Sequence, residues 1–230
     1  MNKVLAIDTS NDTLGLALLT NGNVTGEFIT HLKKNHSVRA MPAVEQLLKD
    51  CGIKPSDLDS IVAAVGPGSY TGVRIGVTIA KTLAWSLSIP LYTVSSLECL
   101  AAGGRYFDGL ICPLFDARRG RVYTGLYTWN DGVLLSSADD QNVLLADWLE
   151  GLKETNKKVL FIGHDVHMHW EMIEEKLGSL AVRADLVQNS PRPSELARIG
   201  LQKEQTSVHT AVPNYTRLAE AESKWLEEQK

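Results

Sequence analysis

The chain has 230 residues, with 23 basic and 27 acidic side chains for a net charge of −4, and is 44% hydrophobic and 22% charged. That length and composition provide for one large domain or two small, closely packed ones and exclude disorder as the main theme. The negative balance excludes polyanion binding through the overall field and leaves any nucleic-acid contact to a local patch or a partner. The three cysteines, Cys51, Cys99 and Cys112, form no C-x-x-C pair. This argues against a disulfide framework or structural zinc and suits a reducing compartment. The opening MNKVLAIDTS fits no signal peptide, and the longest mostly apolar stretch, Val73 to Trp85, carries Arg74 and Lys81. The expected location is the cytoplasm.

Val4–Ile7, Leu14–Leu19 and Val24–Ile29 read as a three-stranded meander with Asn21-Gly22 as its hairpin turn. After His36-Ser37, the helical spacing of Ala40, Val44, Leu47, Leu48 and Cys51 predicts a helix stopped by Gly52, with Pro42 bending or restarting it. Ile61–Val65 is a buried strand, followed by a glycine loop, a long helix to about Ser88, the strand Leu91–Val94 and a short helix capped by Ser95. A second half then opens with Leu110–Phe115 ending at Asp116, Val122–Trp129, and the turn Asn130-Asp131-Gly132 into a third strand. Helix Leu144–Lys153, strand Val159–Ile162 and helices Met168–Leu177, Ser194–Lys203 and Ala219–Lys230 complete the reading. Each half starts with a short strand that closes on an aspartate and continues as a meander. This echo predicts a duplicated α/β lobe with no linker between the copies.

The loop Gly66-Pro67-Gly68-Ser69-Tyr70-Thr71-Gly72 carries the strongest signal. Glycines between a strand and a helix let backbone N–H groups approach an anion, and they equally make a tight structural turn. The loop has neither P-loop nor G-x-G-x-x-G spacing. Gly72, Gly76, Ala80 and Ala84 then recur every four residues, a small-residue stripe open to packing on the chain's own sheet or on another subunit's helix. Helix-interior glycine costs about 1 kcal/mol relative to alanine, so the stripe needs a packing reason. Asp8-Thr9-Ser10 stands at a strand end where related ATPases meet the metal–phosphate end of ATP, and is also good turn chemistry. At the matching place in the second half, Asp116 is followed by Ala117-Arg118-Arg119, with no pair of glycines for a second phosphate loop.

His31 and His36 lack the spacing of a helical metal pair, and His164, His167 and His169 have no carboxylate or thiol signature beside them; no metal site is expected. No G-x-S-x-G is present and no serine or cysteine has an evident base, so no catalytic residue is assigned. Arg118, Arg119 and Arg121, near Tyr123 and Tyr127, form a basic cluster open to RNA phosphates, a partner's carboxylates or water.

Ala6-Ile7-Asp8-Thr9-Ser10, His36-Ser37, the segment Gly66 to Gly76, Asp116-Ala117-Arg118-Arg119 and Pro213-Asn214-Tyr215 together resemble the bacterial TsaB (YeaZ) family of tRNA threonylcarbamoyladenosine biosynthesis proteins, over essentially the whole chain. The resemblance implies a two-lobed α/β fold of the actin-like, sugar-kinase and chaperone ATPase superfamily with a reduced second lobe. Its expected division is 1–104 for the first lobe, 105–206 for the second, and a C-terminal helix 207–230 packing back on the first. It also implies a non-catalytic pseudoenzyme that pairs with the catalytic paralogue TsaD, recruits the ATPase TsaE, meets tRNA only through the complex, and dimerises with itself when TsaD is absent. ATP and metal are then expected in the partner subunits, with no cofactor of its own. The helices Ser37–Cys51 and Gly72–Ser88 become the docking face, with Met41, Val44, Leu48, Gly72, Val73, Gly76, Val77 and Ala80 as interface residues. Gly66, Pro67, Gly68, Ser69 and Thr71 are the residues of the glycine loop, and Asp8, Thr9, Ser10, Asp116, Arg118 and Arg119 are the candidates for residual nucleotide or partner contact; Gly163-His164-Asp165 replaces a Gly-Asp-Gly of some relatives. The alternatives are a small ATP-dependent kinase of the same fold, with Asp8 at the metal–phosphate end, or a metallopeptidase-like protein.

Overall fold

The meander forms as β1 (Lys3–Asp8), β2 (Leu14–Thr20) and β3 (Asn23–Thr30) in a computed structural model that describes residues 2–32 and 35–216. Next come α1 (His36–Asp50), β4 (Ser60–Ala64), α2 (Tyr70–Leu87), β5 (Leu91–Val94) and α3 (Ser96–Ala101). The second half contains β6 (Leu110–Asp116), β7 (Arg121–Asn130), β8 (Val133–Leu144), α4 (Leu145–Glu154), β9 (Val159–Ile162), α5 (Val166–Leu177), β10 (Ala181–Arg183) and α6 (Pro193–Gly200).

The first sheet has the order β3-β2-β1-β4-β5 and the second β10-β9-β6-β7-β8. Antiparallel pairs join β1, β2 and β3, and likewise β6, β7 and β8. Parallel pairs add β4 to β1 and β5 to β4, and likewise β9 to β6 and β10 to β9. Thus β6 to β10 repeat β1 to β5 in order and direction. The echo of the sequence is a full duplication of the sheet.

Alternation along the central strands sorts residues to two faces, as the pleat requires. Leu5, Ile7, Leu16, Leu18 and Ile61 pack with Val44 and Leu48 of α1 and Ala80 and Ala84 of α2. On the opposite face Val4, Ala6, Ala17, Leu19 and Val62 pack with Leu196, Ala197 and Ile199 of α6. In the second sheet Cys112, Leu114 and Phe161 face Leu149 of α4 and Ile173 of α5, whereas Ile111, Phe115, Leu160 and Ile162 meet Leu97, Leu100 and Ala101 of α3. Each fully buried Val, Leu, Ile or Phe among them contributes about 1.5–3 kcal/mol by leaving water. Helix α3 is shared: Cys99 and Ala102 lie in the first-lobe cluster while its neighbours face the second. That sharing holds the lobes as one body.

The structure departs from the sequence reading in four places. α1 runs unbroken through Pro42, which is exposed; the missing amide costs a single bond near the start of a helix that Asn35 caps by accepting from Ser37 N–H. β10 was not expected, because it is a three-residue, half-exposed edge strand. α6 belongs with the first sheet rather than with residues 105–206, because its apolar side chains fill that sheet's second face. Residues 207–216 are turns and extended chain, not helix. They form a strap: Thr206 bridges Leu91, buried Ala211 joins the first-lobe core, and Asn214 N–H donates to the Val65 carbonyl at 2.7 Å. The expected helix Ala219–Lys230 lies outside the described residues.

Candidate functional site

β1 ends at Asp8 under the glycine loop. Asp8 is only 1% exposed. Its Oδ1 accepts from Ser10 N–H at 2.8 Å, its Oδ2 has no partner, and burial raises its pKa above the usual carboxylate range. The loop folds directly onto this turn. Ser69 N–H donates to the Ser10 carbonyl at 2.7 Å, and a side chain at Gly68 would collide with that carbonyl. Thr9 Oγ1 donates to the Gly72 carbonyl at 2.7 Å.

The small-residue stripe has its reason here. A Cβ at Gly72 would strike the Thr9 carbonyl, and one at Gly76 would sit 2.5 Å from Thr9 Oγ1. The stripe lets α2 lie against the end of β1 within the chain. The loop amides are used internally as well: Gly66 N–H donates to Ser96 Oγ at 3.0 Å, Gly72 N–H to Ser69 Oγ at 3.3 Å and Val73 N–H to the Ser69 carbonyl at 2.8 Å. Gly66 has φ +95°, a conformation that favours glycine.

Hence the interface assignment needs correction. Val44, Leu48, Gly72, Val73, Gly76, Val77 and Ala80 are buried in their own lobe and present nothing to a partner. Met41 is 42% exposed. The outward face of the same helices consists of Val38, Met41, Pro42 and Glu45 on α1 and Tyr70, Thr71, Arg74, Thr78, Thr82 and Trp85 on α2. Helical periodicity puts Tyr70, Arg74, Thr78 and Thr82 in one row, directly opposite the buried stripe. The sequence reading took the apolar face for the docking face; in a single chain both surfaces show the same period.

The second lobe differs at the matching position. Asp116 Oδ1 pairs with His169 Nε2 at 3.1 Å, and Asp116 N–H donates to Asp165 Oδ2 at 2.8 Å. Asp165 therefore supports the turn after β6. Gly163, ahead of it, is pinned by donating its N–H to Asn189 Oδ1 at 3.0 Å. In the β6–β7 turn Arg118 and Arg119 have φ of +65° and +57°, and both are exposed. Arg121 leaves the basic cluster, because its Nη2 donates to the Asn142 carbonyl at 2.5 Å and its Nε to Asn142 Oδ1.

Contacts between segments far apart in the chain complete the site. Half-buried Asp140 accepts from Tyr127 Oη at 2.5 Å and from Ser95 Oγ, the cap of α3, and its partial burial raises its pKa. Arg192 pairs with Glu27, whose Oε1 also accepts from Ser194 N–H at 2.9 Å. His31 Nε2 and His164 Nε2 each lie 3.3 Å from Ser190 Oγ. Burial, with His164 beside it, lowers the His31 pKa. Sequence reasoning missed this pairing, since nothing local marks a residue after β3 as the neighbour of one after β9. It also missed the cluster in which the Arg74 guanidinium lies 3.9 Å over the Tyr70 ring and donates from Nε to Tyr215 Oη at 2.6 Å.

The duplicated β-β-β-α-β-α-β lobe defines a member of the actin-like, sugar-kinase and ATPase fold class. Component A of (R)-2-hydroxyglutaryl-CoA dehydratase from Acidaminococcus fermentans, 12% identical, shares this fold with a TM-score of 0.50 over 88% of this chain and 98% of that one. YeaZ from Pseudomonas aeruginosa superposes with a TM-score of 0.77 at 26% identity, over 94% of this chain and 100% of that one. Residues 24–225 match the TsaD family, described as tRNA N6-adenosine threonylcarbamoyltransferase. The tRNA threonylcarbamoyladenosine biosynthesis protein TsaB of Bacillus subtilis (strain 168) is 64% identical over 227 residues, 99% of each chain. The chain belongs to the TsaB family of tRNA threonylcarbamoyladenosine biosynthesis proteins, within the wider TsaD family. Among the described residues no helix is long and apolar enough to cross a membrane.

Proposed function

We propose that the chain is a non-catalytic scaffold subunit in the transfer of threonylcarbamoyl to N6 of the adenosine following the anticodon. Its docking face is the outward side of α1 and α2, its partner is TsaD, and the pair recruits TsaE. A second copy of the chain occupies the same face when TsaD is absent. ATP and metal for the chemistry belong to the partner subunits, tRNA is met through the complex, and the cytoplasm is where it works.

The observation that carries this reading is the internal use of the glycine loop. Its Ser69 N–H and Gly68 backbone lie on the Ser10 carbonyl, which leaves Asp8 buried beneath the loop and closed to a metal–phosphate group. A working phosphate site needs such amides aimed at the ligand. The outward helix face supports docking: Tyr70, Arg74, Met41 and Trp85 are residue types enriched at interface anchors, placed on rigid helices.

Two titrations test the proposal. TsaD injected into this chain is expected to give a saturable binding heat, and ATP with Mg2+ injected into the lone chain none. ATP binding to the lone chain that is lost in Asp8→Asn would replace the scaffold by the kinase reading.

A further inference from the structure

We propose that His31 and His164 form a two-histidine site for a transition metal ion of the Zn2+, Cu2+ or Ni2+ class, which staples the two lobes together. The two imidazoles come from opposite lobes, His31 just after β3 and His164 just after β9. Their ring centroids stand 4.9 Å apart at an interplanar angle of 66°. Two imidazoles that share one tetrahedral ion through Nε2, with metal–nitrogen bonds near 2 Å, hold their centroids about 5 Å apart. Each Nε2 lies 3.3 Å from Ser190 Oγ, and neighbouring ligands of one tetrahedral ion with bonds near 2 Å stand about 3.3 Å apart.

The surroundings fit ligation better than a hydrogen-bonded pair. Ser190 Oγ can donate to one imidazole and accept from the other, but at 3.3 Å both contacts are long for a hydrogen bond. An ion seated among the two Nε2 atoms and Ser190 Oγ engages both imidazole lone pairs and the hydroxyl oxygen at once. His31 Nδ1 lies 3.1 Å from Thr13 Oγ1. A proton held there by Thr13 leaves Nε2 bare and fixes the ring, the usual outer support of a metal-bound histidine. Imidazole donors select Zn2+, Cu2+ or Ni2+ over Mg2+ or Ca2+. Among the described residues no three His, Cys, Asp or Glu side chains make a metal cage. The pair therefore supplies two ligands, and the Ser190 hydroxyl and water fill the remaining positions. Such a site lies outside the chemistry of the proposed complex and acts on the relative position of the lobes.

The test uses the untagged full chain at neutral pH. Zn2+ is expected to bind one to one by calorimetry and to raise the melting temperature, with EDTA reversing the shift. His31→Ala and His164→Ala should each weaken binding about tenfold or more and abolish the shift, while His167→Ala and His209→Ala keep both. Melting each variant in EDTA verifies its fold. Cu2+ electron paramagnetic resonance on the unaltered chain gives a readout free of any folding defect, with coupling to two imidazole nitrogens expected. Zn2+ binding that persists in His31→Ala, an unaltered chain that ignores Zn2+, or a copper spectrum with fewer than two imidazole nitrogens would each overturn the proposal.

Discussion

Asp8 and Asp116 close equivalent strands of the two sheets, yet their environments are opposite. Asp8 is sealed under the glycine loop with an unpartnered Oδ2, whereas Asp116 Oδ1 is held by His169 from α5 at 3.1 Å. The duplication places both carboxylates at the end of the first strand of their sheets, and each is engaged by the chain's own groups.

The burial of Asp8 makes stability depend on pH. Its folded pKa is raised, so the folded state binds this proton more tightly than the unfolded chain does. The resulting penalty is absent below the unfolded carboxylate pKa and complete above the raised folded one. Asp8→Asn, which still accepts from Ser10 N–H, should raise the melting temperature at neutral pH. That gain should shrink as the pH falls through the acidic range. A thermal series against pH checks it; an equal gain at every pH would remove Asp8 as the cause.

Helix α2 approaches β1 through Gly72 and Gly76. Gly72→Ala should cost about 1–3 kcal/mol, because its Cβ meets the backbone carbonyl of Thr9. Gly76→Ala meets the Thr9 side chain and should cost less. Denaturant midpoints of the isolated chain measure both.

Partner docking is tested on the outward row. Thr78→Glu combined with Met41→Glu should lower TsaD affinity at least about tenfold while changing stability by less than about 0.5 kcal/mol, as expected for exposed sites. Calorimetry and a thermal melt on the same preparation separate the two effects.

The β6–β7 turn holds Arg118 in the left-handed region at φ +65°. Relief of about 1–2 kcal/mol of backbone strain, set against glycine's larger unfolded entropy, makes Arg118→Gly stabilising by about 0.5 kcal/mol. A loss of stability would mean that the arginine side chain supports the turn.

Much of the fold was legible because the central strands are nearly continuous apolar runs and the turns carry Asn-Gly, Asp-Gly and glycine caps. The repeated strand-to-aspartate pattern at Asp8 and Asp116 also exposed the duplication. β10 and the strap 206–216 were not legible, since short edge strands and extended chain have no period to detect. The glycine loop was located correctly, but its target was hidden: only the fold shows that Gly68, Gly72 and Gly76 make room for Thr9 and Ser10. The same limit misdirected the docking residues. Val73, Val77 and Ala80 have the periodicity of an apolar face, and periodicity does not say whether that face meets the chain's own sheet or another subunit.

The central claim is that this chain works by docking TsaD. Size-exclusion chromatography with light scattering, on this chain alone and mixed with TsaD of the same organism, tests it most directly. The account predicts a stable mixed complex that replaces any self-dimer and is lost with Thr78→Glu and Met41→Glu combined. Two components that elute separately, with and without ATP, would contradict it.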